Sequence, residues 1–183
     1  DTDRSRGLGD VYKRQDYNPA GKLPVTFYRN VSQLPDFEDY NMTGRTYRYM
    51  QDVPLFPFGY GLSYTTFGYG KTVLDKNELT AGQSLKLTVP VTNTGKRNGE
   101  EVVQVYLRKQ GDAEGPIKTL RAFKRVSIPA GKTVNVEFDL KDKELEWWDD
   151  QSNTVRVCPG NYDIMVGGSS KEEDLQRTTI AIK

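Results

Sequence analysis

Apolar and polar residues alternate with a period of two over four stretches in the second half of the chain. Leu85, Leu87, Val89 and Val91 interleave with Lys86, Thr88, Pro90 and Thr92. Val103, Val105 and Leu107 interleave with Gln104, Tyr106 and Arg108. Val134, Val136, Phe138 and Leu140 interleave with Asn135, Glu137 and Asp139, and Tyr162, Ile164 and Val166 with Asp163 and Met165. Successive side chains of a strand point to opposite faces, so each run predicts a strand with one buried face. Turn signals stand between the runs: Asn93-Thr94-Gly95, Asn98-Gly99, Gly111-Asp112, Gly115-Pro116, Pro129-Ala130-Gly131, Pro159-Gly160-Asn161 and Gly167-Gly168. Pro90 has no N–H to give to a ladder, which predicts an edge position or a bulge for its strand.

With roughly seven such strands and no helical period, residues 70–183 predict an all-β fold, an antiparallel β-sandwich of the immunoglobulin or fibronectin III type. Residues 16–69 have a different texture. Pro19, Pro24, Pro35, Pro54 and Pro57 interrupt the segment, and only Lys22 to Tyr28 has the composition of a short strand, with Pro24 at its edge. Yet Tyr40, Tyr47, Tyr49, Phe56, Phe58, Tyr60, Tyr64, Phe67 and Tyr69 all fall in the stretch from 40 to 69. That apolar area is too large to leave in water and too irregular to bury by itself. An extended, aromatic-rich arm lying across another surface is expected, either that of the sandwich or that of a further domain. Residues 1–15, DTDRSRGLGDVYKRQ, have no usable period and are expected to be a tail foreign to the rest, joined at Gln15–Asp16.

Composition narrows the chemistry. The 183 residues include no His and one Cys, which removes Ser–His–Asp and Cys–His catalysis, His metal ligands, disulfides and Cys-based zinc sites. The 26 Lys+Arg and 25 Asp+Glu leave a net charge of +1, with no electrostatic case for nucleic acid or anionic lipid. No apolar run approaches the roughly 18 residues of a membrane span.

Carboxylates survive the lack of His. Asp36/Glu38/Asp39, Glu100/Glu101 and Glu144/Glu146/Asp149/Asp150 are the clusters, but adjacency does not supply the spacing of about 5–5.5 Å that a retaining glycosidase needs, and all three are expected on the solvated surface. Trp148 to Asn153 lacks the Gly and the terminal Glu of a calcium loop and reads as a turn. Trp147-Trp148 is a candidate sugar-stacking pair. In a strand the two rings point oppositely, so the plainer expectation is one ring in the core and one covering an edge. Cys158 has no activating neighbour beyond Arg156 and reads as an ordinary thiol. Gly59-Tyr60-Gly61 and Gly167-Gly168 open no helix and read as turns, not phosphate loops. Asn30-Val31-Ser32 and Asn41-Met42-Thr43 match the N-glycosylation sequon.

Several motifs, in order, resemble glycoside hydrolase family 3. Asp16 to Phe27 (DYNPAGKLPVTF) is similar to the end of that family's second domain. Gly44 to Tyr49 (GRTYRY) and Pro54 to Phe67 (PLFPFGYGLSYTTF) resemble its linker into the C-terminal domain. Val91 to Gly95 (VTNTG), Gly99 to Tyr106 (GEEVVQVY), Leu120 to Val126 (LRAFKRV) and Pro159 to Ile164 (PGNYDI) resemble the fibronectin type III-like domain that follows. The resemblance divides the chain into the tail 1–15, the end of an α/β domain with its linker arm at 16–69, and a fibronectin type III-like domain at 70–183.

The resemblance implies an exo-acting, retaining β-glucosidase or β-xylosidase of carbohydrate catabolism, acting on β-linked gluco- or xylo-oligosaccharides, with GRTYRYM and LPDFEDY closer to the xylosidases. The family's nucleophile is an Asp on an N-terminal (β/α)8 barrel and its acid/base is commonly a Glu of the second domain. Neither has a counterpart among the matched motifs, and a barrel alone needs about 250 residues. No catalytic residue is therefore assigned, and the chain by itself is expected to be inactive. No cofactor or metal is implied. The expected partner is the upstream catalytic domains of the same polypeptide, with Tyr47, Arg48, Tyr49, Phe56, Phe58 and Tyr60 as interdomain anchors and Arg45 supporting them. Members are commonly periplasmic or secreted. The alternative is a free-standing carbohydrate-binding or interaction sandwich that uses Trp147 and Trp148.

Overall fold

The structure is a computed structural model and describes residues 17–183, so the expectation for residues 1–15 lies outside the described residues. Two β-sheets face each other across one core. The first is built on β4 (Leu85–Asn93), which pairs with β7 (Thr133–Leu140) on one side and with the short strands β1 (Phe67–Tyr69) and β2 (Val73–Leu74) on the other. The second has the order β3 (Glu78–Leu79), β11 (Gln176–Ile182), β10 (Gly160–Gly167), β5 (Gly99–Lys109) and β6 (Thr119–Ile128). A separate hairpin joins β8 (Trp147–Asp149) to β9 (Thr154–Arg156). All pairs are antiparallel except β11 with β3, which is parallel. The four alternating runs fall on β4, β5, β7 and β10. Leu87, Val89 and Val136 from the first sheet meet Val105, Ile164 and Val166 from the second in a single apolar cluster. A single turn of α-helix, α1 (Thr46–Tyr49), lies in the arm ahead of β1, and a second, α2 (Asp142–Leu145), separates β7 from β8.

Pro90 is neither at an edge nor in a bulge. β4 is the central strand of its sheet, and Pro90 stands opposite Asn135 of β7. On the other side the partner strand is broken. β1 ends with Tyr69 opposite Val91, and β2 begins with Val73 opposite Thr88. The Pro90 carbonyl accepts the Gly70 N–H at 2.8 Å, so its missing N–H points into that gap. A Cβ at Gly70 would lie 2.5 Å from Pro90 Cγ, which explains the glycine.

β5 departs from the simple one-faced pattern. Val103, Val105 and Leu107 face the core, as the alternation predicts, but Gln104 and Tyr106 on the other face are buried too. The cover is the aromatic arm. Tyr47, on α1, stacks on Phe58 with ring centroids 4.2 Å apart and meets Tyr106 edge-on at 5.9 Å. The Tyr47 hydroxyl accepts the Leu120 N–H, and the Arg48 carbonyl accepts the Ile117 N–H at 2.6 Å. Gln104 donates through Nε2 to the carbonyls of Gly59 (3.2 Å) and Gly168 (2.6 Å), while Tyr106 donates its hydroxyl to Gln104 Oε1. Gly59 has φ +79, and a Cβ there would sit 2.1 Å from Gln104 Oε1. Both the backbone conformation and the space require glycine.

Within the arm, Lys22 to Tyr28 does not form the expected strand. It is tied to the returning chain by one β-bridge, Phe27 to Phe56, and by bonds of Leu23 with Gly59 and Tyr60. Pro24 and the proline-rich return segment leave too few N–H groups in register for a ladder. The arm ends at Thr65, whose hydroxyl donates to Oδ1 of the buried Asn93 at 2.6 Å. Asn93 Nδ2 donates to the carbonyls of Arg97 and Ile128, so this amide closes the turn of the VTNTG motif and holds the arm's exit.

Glu101 also departs from expectation: it is buried and not a surface acid. Its carboxylate accepts from Lys22 Nζ at 2.8 Å and from the Tyr69 hydroxyl at 3.0 Å. A buried charge persists only when paired and hydrogen-bonded, and here the arm supplies the cation. Burial and the Glu101 charge push the Tyr69 phenol well above its ordinary range. Glu100 pairs with Arg125 and accepts from the Tyr17 hydroxyl at the surface.

The substitution Gln104→Ala leaves the Gly59 and Gly168 carbonyls without their donor. It is expected to cost about 2 kcal/mol. In hydrogen exchange, amides of residues 54–64 should lose protection first, while β4 and β7 keep theirs.

Candidate functional site

Sandwich and arm together create one unusual surface. Among the described residues seventeen large hydrophobic residues are exposed, and thirteen of them lie from Tyr17 to Tyr64. Phe37 and Tyr40 are 92% and 88% exposed, on a loop that also carries Val31, Leu34 and Met42. Local polar bonds shape this loop. Asn30 Oδ1 caps the turn Val31–Gln33 by accepting from Ser32, Asp39 Oδ1 accepts from Asn41, and Arg45 donates to the carbonyls of Asp39 and Asn41. Two of the expected surface acids, Asp36 and Asp39, thus act as turn formers.

The six expected interdomain anchors fall into three pairs. Tyr47 turns inward onto Tyr106 of the sandwich, and Phe58 stacks on Tyr47. Phe56 and Tyr60 stack on each other at 5.2 Å, with Phe56 exposed and Tyr60 half-buried. Arg48 and Tyr49 are half-buried, the Arg48 guanidinium lying 5.9 Å from the Tyr49 ring centre. A cleft of about 640 Å³ opens between this part of the arm and the β10–β11 loop. Tyr47, Phe56, Tyr60 and Ile117 line its apolar side, and Lys118 and Glu172 its polar side. Lys118 is buried, donating to the Ser170 carbonyl at 2.9 Å and pairing with Glu172 at 2.5 Å.

Trp147 and Trp148 are not brought together. Trp147 is buried in the core, donating Nε1–H to Asp112 at 2.6 Å and meeting Tyr162 edge-on at 6.0 Å. Trp148 is 49% exposed on the opposite face, donates Nε1–H to Asp150 and stands opposite Val155 on β9. Only the Trp148 indole of the pair is open to solvent. Cys158 is buried beside the Trp147 carbonyl.

The chain missed by sequence reasoning is the polar seam under the arm: Lys22–Glu101, Gln104 and Lys118. One signal was present. Tyr106 is a large aromatic on the nominally polar face of β5, which points to a second burial partner.

The hairpin that presents Trp148 is held at its turn by Asp149, which accepts from Ser152 Oγ and from Arg156 Nε, both at 2.6 Å. The Ser152 bond, followed by Arg156, lowers the Asp149 carboxyl from 3.8 to about 2. A folded-state value below the unfolded one stabilises the hairpin above pH 3.8, and that contribution disappears as pH falls through about 2. In an NMR titration the Asp149 carboxyl should have its midpoint near 2, and Arg156→Ala should move it toward 3.8.

Comparison with known proteins matches this geometry to a family. Residues 14–64 match the glycosyl hydrolase family 3 C-terminal domain, and residues 101–170 match the fibronectin type III-like domain. The chain is 52% identical over 167 residues to a xylan 1,4-beta-xylosidase of Xylanibacter ruminicola, covering 91% of this chain and 19% of that protein. It is 36% identical over 168 residues to a periplasmic beta-glucosidase of Salmonella typhimurium, covering 85% of this chain and 22% of that protein. The structure superposes on a β-glucosidase from Erythrobacter marinus with a TM-score of 0.77 and 40% identity, over 92% of this chain and 22% of that one. The chain thus spans about a fifth of the length of these relatives. With both domain matches falling in family order on an arm that is folded against a sandwich, the chain belongs to glycosyl hydrolase family 3, as the end of its C-terminal domain and the fibronectin type III-like domain that follows.

Proposed function

We propose that this chain is the closing part of an exo-acting β-glycosidase, of the β-xylosidase or β-glucosidase kind, and that it supports catalytic domains carried elsewhere in the same polypeptide. The observation that carries this reading is the apolar face of residues 17–64, ordered from beneath by the sandwich and open to solvent above. Phe37 and Tyr40 on the loop, with Phe56 and Tyr60 beside the cleft, are the anchors for those domains. Tyr47, Phe58 and Arg48 fix the arm that presents them. The nucleophile and the acid/base belong to the supported domains, so the chain alone does not turn over substrate. The xylosidase name of the 52% identical relative favours β-linked xylo-oligosaccharides. The periplasmic relative favours an exported enzyme.

Two assays test this. The purified chain should show no turnover of aryl β-xyloside or β-glucoside, and enzyme-like activity in a clean preparation would contradict the proposal. Exchanging residues 17–183 for the corresponding part of the Xylanibacter ruminicola xylosidase should give a chimera with kcat/KM within about tenfold of the parent. The double substitution Phe37→Ser/Tyr40→Ser should then lower its thermal stability. A folded but inactive chimera would contradict the proposal.

A second reading rests on Trp148, whose half-exposed indole is suited to stacking on a sugar ring. Retardation of the chain in xylan or β-glucan affinity gels, abolished by Trp148→Ala, would support it. Unretarded migration is the outcome expected if Trp148 only covers the hairpin beside Val155.

A further inference from the structure

We infer that Arg48 and Arg121 together form a carboxylate-binding site where the arm crosses the edge of the second sheet. The ladder between β5 and β6 has one irregularity: Val105 faces Ala122 and Tyr106 faces Leu120, so Arg121 is the extra residue of a bulge. A bulge redirects a side chain, and bulges concentrate beside functional sites. Here it sends the Arg121 guanidinium over the Trp147 ring, 5.6 Å from its centre, where Nη2 donates to the Glu146 carbonyl at 2.6 Å. The arm brings Arg48 to the same place. The bonds from Leu120 N–H to the Tyr47 hydroxyl and from Ile117 N–H to the Arg48 carbonyl fix α1 against β6.

Three observations show that this pair is incomplete. Nε of Arg48 and Nε of Arg121 are both buried without an acceptor. Among the described residues neither arginine has an ion pair within 4.0 Å. Of the carboxylates in this corner, Asp112 is already engaged by Trp147 Nε1 and Gly115 N–H, and Glu146, whose charge reaches Arg121, forms no ion pair with it. Burial, and then the neighbouring Arg48 charge, lower the Arg121 guanidinium from its ordinary value, the signature of two cations sharing a partly dry space. Thr46, two residues before Arg48, has φ +56, a conformation that a β-branched residue adopts only under strain, and strain of this kind collects at ligand clamps.

A planar carboxylate answers all of this at once. It neutralises both charges and accepts from both forks in the bidentate geometry that arginine favours. The source is an acidic side chain of another protein surface or the acid group of a uronic sugar, and the two share this chemistry. The site stands independently of the glycosidase reading.

The test is an NMR titration of the ¹⁵N-labelled chain, following the arginine Nε–H signals at constant ionic strength. Sodium acetate should move the Arg48 and Arg121 signals along a saturating curve, whereas sodium chloride should not. Arg48→Lys keeps the charge but removes the fork, and should weaken acetate binding by on the order of tenfold. Arg121→Lys should do the same, and Arg48→Lys, which lies outside the sandwich, preserves the test if the bulge variant fails to fold. Equal affinity for acetate and D-glucuronate would assign the site to a side-chain carboxylate, and tighter glucuronate binding to a uronic sugar. Linear, chloride-like shifts, or saturable binding unchanged in Arg48→Lys, would overturn the inference.

Discussion

The second face of β5 is the constraint on which this structure depends. An antiparallel sheet in a sandwich ordinarily buries one face and wets the other. Here Gln104 and Tyr106, and Met165 beside them on β10, are buried on the face away from the core. An amide and a phenol cannot be covered by hydrocarbon alone without losing their hydrogen bonds. The arm meets both needs, since Tyr47 and Phe58 supply rings and Gly59 supplies a carbonyl. Burial, with Tyr47 close by, pushes the Tyr106 phenol well above its ordinary range, so it remains a donor to Gln104 at any physiological pH. The sandwich without its arm would expose this face, and the arm without the sandwich would have no fold.

That mutual dependence explains what could be read from the sequence. The strands of the core were legible because period-two alternation reports burial on one face directly, as in Leu85 to Val91 and Val134 to Leu140. β6 carries mostly half-buried and exposed positions, and its contribution is visible only from its pairing with β5. Pro90 misled because the rule for proline concerns the side its N–H faces, and here a break between two short strands removes the need for a donor. Glu101 misled for a related reason. Its cation is Lys22, 79 residues away, and no local pattern announces such a pairing.

Of the candidate site, the aromatic content of residues 40–69 was plain, and so was its need for a partner surface. Which rings face the sandwich and which face outward was not, because alternation is lost where prolines break the period. Inward rings make the arm part of the domain, and outward rings at Phe37, Tyr40 and Phe56 leave a prepared apolar face. Interfaces between domains of one chain are built in this way, with aromatic anchors held on a rigid support.

The central claim is that the sandwich orders the arm and that the outer face of the arm is an interdomain surface. Hydrogen exchange tests it most directly, comparing the chain alone with the same residues fused behind the upstream domains of the Xylanibacter ruminicola relative. The account predicts that residues 46–60 are protected in both, since Tyr106 and Gln104 hold them in either setting. Residues 30–44, around Phe37 and Tyr40, should gain protection only in the fusion. Equal exchange of residues 30–44 in a folded, active fusion would contradict the account.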